Sequence, residues 1–205
     1  GLSGQALCGW VASVSLALVF PDLPKVILLP LCIIAGALAG ALAAAVPGVL
    51  RAYFGTSEVI VTIMMNYIVL YLSTFILQDW MPESFRSSLD SSNRITENAS
   101  LNMESLSTFF GGSRVNAGLF LALLGLVVVW FIMKKTTLGY EIRAVGLNPN
   151  ASEYAGMSSK RTIILSMVLS GTFAGLGGVV EGLGTYQNFF VQTESLSIGF
   201  DGLAV

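Results

Sequence analysis

Long uncharged stretches alternate with short polar ones along this chain, and the alternation predicts membrane-crossing helices. Residues 26–46, VILLPLCIIAGALAGALAAAV, make 21 consecutive uncharged positions, and 59–77, 115–133 and 162–180 make 19 each. A helix needs roughly 20 apolar residues to cross the hydrocarbon of a bilayer. Residues 1–20 are also uncharged but richer in Gly, Ser and Gln. They are expected to be either a truncated fifth span or a span lining a polar path. Residues 182–200 mix glycines with Gln187, Asn188 and aromatics, which suits a broken or re-entrant segment buried in protein. The expected fold is all-α, a polytopic transmembrane helical bundle of about five to six spans. Residues 1–205 are read as a single transmembrane domain. Both ends lie in apolar sequence, so an internal piece of a longer polytopic protein is expected.

Composition sharpens this picture. Charged residues are 11% of the chain and the mean hydropathy is +0.77. Soluble domains carry about 25% charged residues, and a chain of this size could not hide so much apolar surface in one core. A net charge of −2 argues against a nucleic-acid partner. The absence of histidine excludes histidine acid–base chemistry and His-ligated metal. Cys8 and Cys32 lie in apolar runs and read as small packed hydrophobes.

Charge also sets the orientation. The island 134–161 carries Lys134, Lys135, Arg143, Lys160 and Arg161 against Glu141 and Glu153, which places it in the cytoplasm. Alternation then puts 79–114 outside, 47–57 inside and 21–25 outside. The outer loop 79–114 has five acids against three bases, and the inner loop carries Arg51; Lys25 is a mild exception. Asn98-Ala99-Ser100 fits the glycosylation acceptor pattern weakly. Gly36 and Gly40, and then Gly171, Gly175 and Gly178, are spaced for close helix approach.

Two groups of residues are candidates for function. The first is the cytoplasmic island. A turn at 136–139 precedes an expected helix over 140–147; Asn148-Pro149-Asn150 interrupts it, and a second short helix is expected over 151–155 with Gly156 as its stop. Ile142 and Val145 share one face. The alternatives are a solvated connector and a coupling element that passes force to a partner protein. The second group is polar residues at membrane depth. Glu58, Thr62 and Asn66 fall on one helical face at i, i+4 and i+8. They form either a cap with helix–helix hydrogen bonds or a polar stripe along a translocation path. Glu181 sits among glycines, as an interfacial charge or a path residue. Gln5, Tyr186, Gln187 and Asn188 offer hydrogen bonds suited to a sugar or base.

The motifs resemble a known family. GYEIRAVGLNPNASEYAGM (139–157) is similar to the cytoplasmic loop of permeases from bacterial ABC importers, in the branch serving simple sugars, nucleosides and branched-chain amino acids. TSEVIVTIMMNYI (56–68) resembles its nucleoside-type members, and SGTFAGLGG (170–178) is a third match. One departure is GLSGQ (1–5), where Ser3 replaces an acidic or other polar residue common in related permeases. If that segment touches cargo, specificity differs. The resemblance implies a type II importer-like permease in the bacterial inner membrane. Its implied partners are cytoplasmic ATP-binding subunits, a second permease subunit, an extracytoplasmic substrate-binding protein and the lipid bilayer. Gly139, Tyr140, Glu141, Ile142, Arg143, Ala144, Val145, Gly146, Asn148 and Gly156 would then engage the ATPase. Gln5, Glu58, Thr62, Asn66, Glu181, Gln187 and Asn188 are the path candidates. The chain has no G-x-x-x-x-G-K-[ST] phosphate loop, so it is expected to bind no cofactor and to catalyse nothing itself; the ATP is used by a partner. The expected cargo is a nucleoside. Rival readings are a sugar or branched-chain amino acid as cargo, an ion-coupled carrier, which would need intramembrane carboxylates, and a membrane-embedded enzyme.

Overall fold

The computed structural model describes residues 1–102 and 116–192. Among the described residues, five helices are long and apolar enough to cross a membrane. In chain order the helices are α1 (Leu2–Val19), α2 (Lys25–Phe54), α3 (Glu58–Phe75), α4 (Gly118–Lys135), α5 (Thr137–Leu147), α6 (Pro149–Tyr154) and α7 (Ser159–Val180). Helix α3 runs on through a π-helical turn, Ile76–Trp80, and α7 through another, Glu181–Tyr186.

Helix α1 is the central element rather than a marginal one. It is the most buried of the five, and Trp10 and Val14 are fully enclosed. Helices α2 and α7 close around it at glycines. A Cβ added to Gly9 or to Gly40 would lie 2.7 Å from Gly175 Cα, and one on Gly178 would lie 2.9 Å from Trp10 N. Such backbone-to-backbone proximity is available only where side chains are absent.

The loop expected over 47–57 is instead mostly helix. Helix α2 continues through Pro47 because Pro47 is buried and Gly48 rests beside Ile164 and Met167 of α7. Tertiary packing there outweighs the lost backbone hydrogen bond. The helix stops at Gly55, whose φ of 64° suits glycine and whose N–H donates to Arg51 O at 3.1 Å.

The outer loop folds as short 3-10 turns at Glu83–Phe85 and Glu97–Ala99, flanking a small hairpin, β1 (Arg86–Ser88) with β2 (Ser91–Ser92). Ile95, Ala99 and Leu101 are buried with Phe189, joining the loop to the bundle core. The part of the expected outer loop between 103 and 114 lies outside the described residues.

Helix α7 is tied at both ends. At the inner end, Ser159 Oγ donates to Pro149 O at 3.0 Å, and Thr162 Oγ1 to Glu141 Oε2 at 3.4 Å. Beyond the outer end, Leu183 O accepts from Leu101 N at 3.0 Å, Gln187 O from Ile95 N at 2.9 Å and Phe189 O from Ser92 N at 2.7 Å.

Candidate functional site

The basic island 134–161 is two helices meeting at a corner, each started by a side-chain cap. Thr136 Oγ1 accepts from Gly139 N at 3.2 Å, so α5 starts at Thr137, three residues earlier than the sequence suggests. Gly139 is buried against α4; its missing Cβ would lie 2.5 Å from Met133 Cα. Asn148 Oδ1 accepts from Ala151 N at 3.1 Å, and Pro149 occupies the first helical position of α6. The proline therefore begins the second helix as well as ending the first. Gly156, at φ 83°, closes the unit.

The two faces of α5 differ. Val145 is buried and Ile142 half-buried toward the bundle, as their shared face suggests. Tyr140, Arg143, Gly146 and Leu147 point away from it and are exposed. Arg143 Nε donates to Gly139 O at 3.2 Å, which holds its stem along the helix. Ala144 is half-buried, and Glu141 takes the Thr162 hydroxyl. Leu147 is 89% exposed and Tyr154 95% exposed, at the extreme inner tip. Neither was singled out from the sequence. The available signal was an apolar residue and an aromatic in an otherwise polar stretch, with no periodicity burying them.

The intramembrane candidates separate into three places. Glu58 lies at the inner end of α3, where Oε1 meets Arg51 Nε at 3.2 Å; Arg51 also donates to Thr56 O at 3.2 Å. This pair latches the short turn between α2 and α3. Thr62 Oγ1 donates to Val59 O at 3.2 Å, while its carbonyl accepts from Gly1 N at 3.0 Å. Asn66 Oδ1 accepts from Gly4 N at 3.0 Å, satisfying one of the first-turn N–H groups of α1. Gln5 and Asn66 line one small crevice of about 10 Å³ with Gly1, Gly4 and Met65. Asn66 thus supplies a side-chain hydrogen bond from α3 to α1. Asn66→Leu strands a buried N–H and is expected to destabilise the bundle by about 1–3 kcal/mol. Thermal unfolding in detergent checks this; an unchanged midpoint would release Asn66 from that structural duty.

Glu181, Gln187 and Asn188 lie at the outer end, around the π-helical turn. Gln187 adopts φ 59°, and its Nε2 donates to Ser100 Oγ at 2.9 Å. Asn188 Nδ2 donates to Ser91 Oγ at 3.2 Å, and its carbonyl accepts from Trp10 Nε1 at 2.9 Å. Both amides thus tie the chain after α7 to the outer loop. Tyr186 stacks on Trp10 with centroids 5.1 Å apart and planes at 15°; Phe189 and Phe190 meet Trp10 edge-on at 5.7 and 5.4 Å. Helices α4 and α7 stand apart over an apolar cleft of about 490 Å³ that includes Val129, Met133, Leu169 and Phe173. No group of three or more metal-ligating side chains gathers among the described residues.

With this geometry in place, likeness to known proteins is informative. A family model described as "Branched-chain amino acid transport system / permease component" matches residues 1–205. The nucleoside ABC transporter permease protein NupB of Lactococcus lactis subsp. cremoris (strain MG1363) is 51% identical over 207 residues, covering 100% of this chain and 57% of that protein. The guanosine ABC transporter permease protein NupP of Bacillus subtilis (strain 168) is 45% identical over 205 residues, covering 100% of this chain and 58% of that protein. The glucose ABC transporter permease protein TsgB13 of Haloferax volcanii is 34% identical over 197 residues, covering 92% of this chain and 50% of that protein. The chain thus spans between half and three fifths of these relatives. No solved structure matches it.

Proposed function

From its membership of the branched-chain amino acid transport system permease family, to which the chain belongs over residues 1–205, we propose that it is the membrane-spanning part of an ATP-driven nucleoside importer. The observation that carries the cargo is similarity along the whole chain to permeases named for nucleosides and guanosine, at 51% and 45% identity. The relative named for glucose is more distant, at 34%. The motif TSEVIVTIMMNYI, which builds the start of α3, is the local counterpart of that likeness.

In this reading the protein is a multi-pass component of the cytoplasmic membrane, and a separate ATPase supplies the energy. Helices α5 and α6 dock in that ATPase, with Tyr140, Arg143, Gly146, Leu147 and Tyr154 on the contact face. Exposed Leu147 and Tyr154 support this, since large apolar side chains at a cytoplasmic tip favour burial against a partner. The outer loop receives a substrate-binding protein, and a second permease subunit completes the path. The polar path residues proposed are Gln5, Glu58, Thr62, Asn66, Glu181, Gln187 and Asn188, with the hydrogen bonds described above as their resting partners.

Cargo-stimulated ATP hydrolysis tests the reading. The full-length protein, reconstituted with its neighbouring ATPase and binding protein, is expected to respond to nucleosides and not to pentoses or branched-chain amino acids. Stimulation by a sugar or amino acid alone would replace the cargo. Failure to associate with any ATPase would overturn the importer reading.

A further inference from the structure

Residues 181–192 are irregular backbone at the outer end of the bundle: a π-helical turn, a left-handed residue, then an extended run. Irregular backbone is tolerated at membrane depth only inside protein or against water. The inner side of this segment is filled, since Gly182, Leu183, Gly184 and Phe189 are buried. Its outward side carries Glu181 and Asn188, half-buried, with Thr185 and Tyr186 exposed. Glu181 has no ion-pair partner among the described residues, so its carboxylate requires water or a polar ligand. A face with that composition suits an aqueous path and not lipid.

Tyr186 is built for one purpose on that face. One side of its ring is stacked on Trp10, which is 0% exposed and whose ring N–H is fixed by the Asn188 carbonyl. Phe190 abuts Tyr186 at 5.2 Å and 70°. The ring is therefore held in place, yet it remains 44% exposed. A rigid, half-open aromatic plane can stack a flat heterocycle without losing further side-chain freedom. Glu181 lies five residues earlier, at the start of the same π-helical turn and half-buried on the segment's outward side. Its carboxylate oxygens accept hydrogen bonds from neighbouring hydroxyls.

We propose that Tyr186, braced by Trp10, is a base-stacking platform at the outer mouth of the translocation path, and that Glu181 accepts hydrogen bonds from the ribose hydroxyls of the same nucleoside. This rests on the nucleoside reading above and adds a location and two roles to it. Gln187 and Asn188, which are committed to Ser100 and Ser91, orient the platform.

The test uses the full-length protein with its ATPase and binding protein in proteoliposomes. Wild-type nucleoside uptake is read first; its absence would overturn the nucleoside reading itself. Given uptake, 8-azidoadenosine is expected to photolabel the wild-type peptide that contains residues 181–190, and excess adenosine, but not ribose, is expected to suppress the labelling. Labelling confined to other segments would overturn the platform. Tyr186→Leu is expected to transport about tenfold more slowly than Tyr186→Phe at equal membrane level. Equal rates for Phe and Leu would also overturn it. In a Cys8→Ala/Cys32→Ala background, Tyr186→Cys is expected to react with a membrane-impermeant charged thiol reagent and to be protected by adenosine. Failure to react would place residue 186 against lipid and end the proposal.

Discussion

Gly175→Leu is expected to abolish accumulation of folded protein in the membrane. Gly175 sits where α1, α2 and α7 cross, with its Cα 2.7 Å from where a Cβ on Gly9 or Gly40 would stand. A side chain on Gly175 itself would begin 3.1 Å from Gly40 Cα, so the obstruction is backbone and cannot rotate away. Overpacking a core costs about 1–3 kcal/mol when side chains can yield. Here whole helices must separate, against a total stability of about 5–15 kcal/mol. Gly177→Leu, two residues on in the same helix, is the control. Nothing stands within 4 Å of its added Cβ, and near-normal accumulation is expected. The monodisperse fraction in detergent extracts reads both variants. Wild-type amounts of Gly175→Leu would show that the three helices do not need this approach.

The second large effect is expected at the inner tip. Gly146→Trp and Leu147→Glu should each lower uptake by at least about tenfold while leaving the membrane level of the protein unchanged. Gly146 lies on an open face, with nothing within 4 Å of an added Cβ, so the fold has no reason to object. Leu147 is almost wholly exposed, so its replacement removes nothing from the core. The loss would come from the docked ATPase. Bulk on a fitted surface, or a carboxylate buried in an apolar contact, costs about 2 kcal/mol or more at the centre of an interface. Uptake and cargo-stimulated ATP hydrolysis are measured together. Loss of both with intact basal hydrolysis is expected; normal uptake in both variants would remove the docking face.

The spans were legible because an uninterrupted apolar run is long compared with any soluble element. Their ends were less so. The expected second span ends at Val46, whereas burial of Pro47 beside α7 carries α2 eight residues further, to Phe54. The two helices of the 134–161 island were legible through Pro149 and Gly156, residues with strong local preferences, whereas Gly139, expected in the preceding turn, lies inside α5. What the pattern concealed was long-range pairing. Asn66 reads as a polar group in a span, but its partner is a backbone N–H 62 positions away. Gln187 and Asn188 read as free amides, yet they bond to serines in a loop about 90 positions earlier. The hairpin over 86–92 has no alternating apolar pattern to announce it. It is held in part by backbone bonds to residues 189 and 191, which no local signal contains.

The two-ended attachment of α7 has a mechanical consequence. Its first turn is bonded to both cytoplasmic helices, and the chain beyond its last turn is bonded along the outer loop. The helix that joins the attachments is 22 residues of continuous helix, a stiff strut about 33 Å long. Its packing partners, α1 and α2, meet it at closely approaching glycine backbones, with Val179 seated against Gly36 and Ala44 against Gly171, so the three helices are keyed to one another. A push at the inner corner therefore arrives at the outer surface as displacement rather than being absorbed midway. The two surfaces of the membrane are, through this one helix, mechanically a single part.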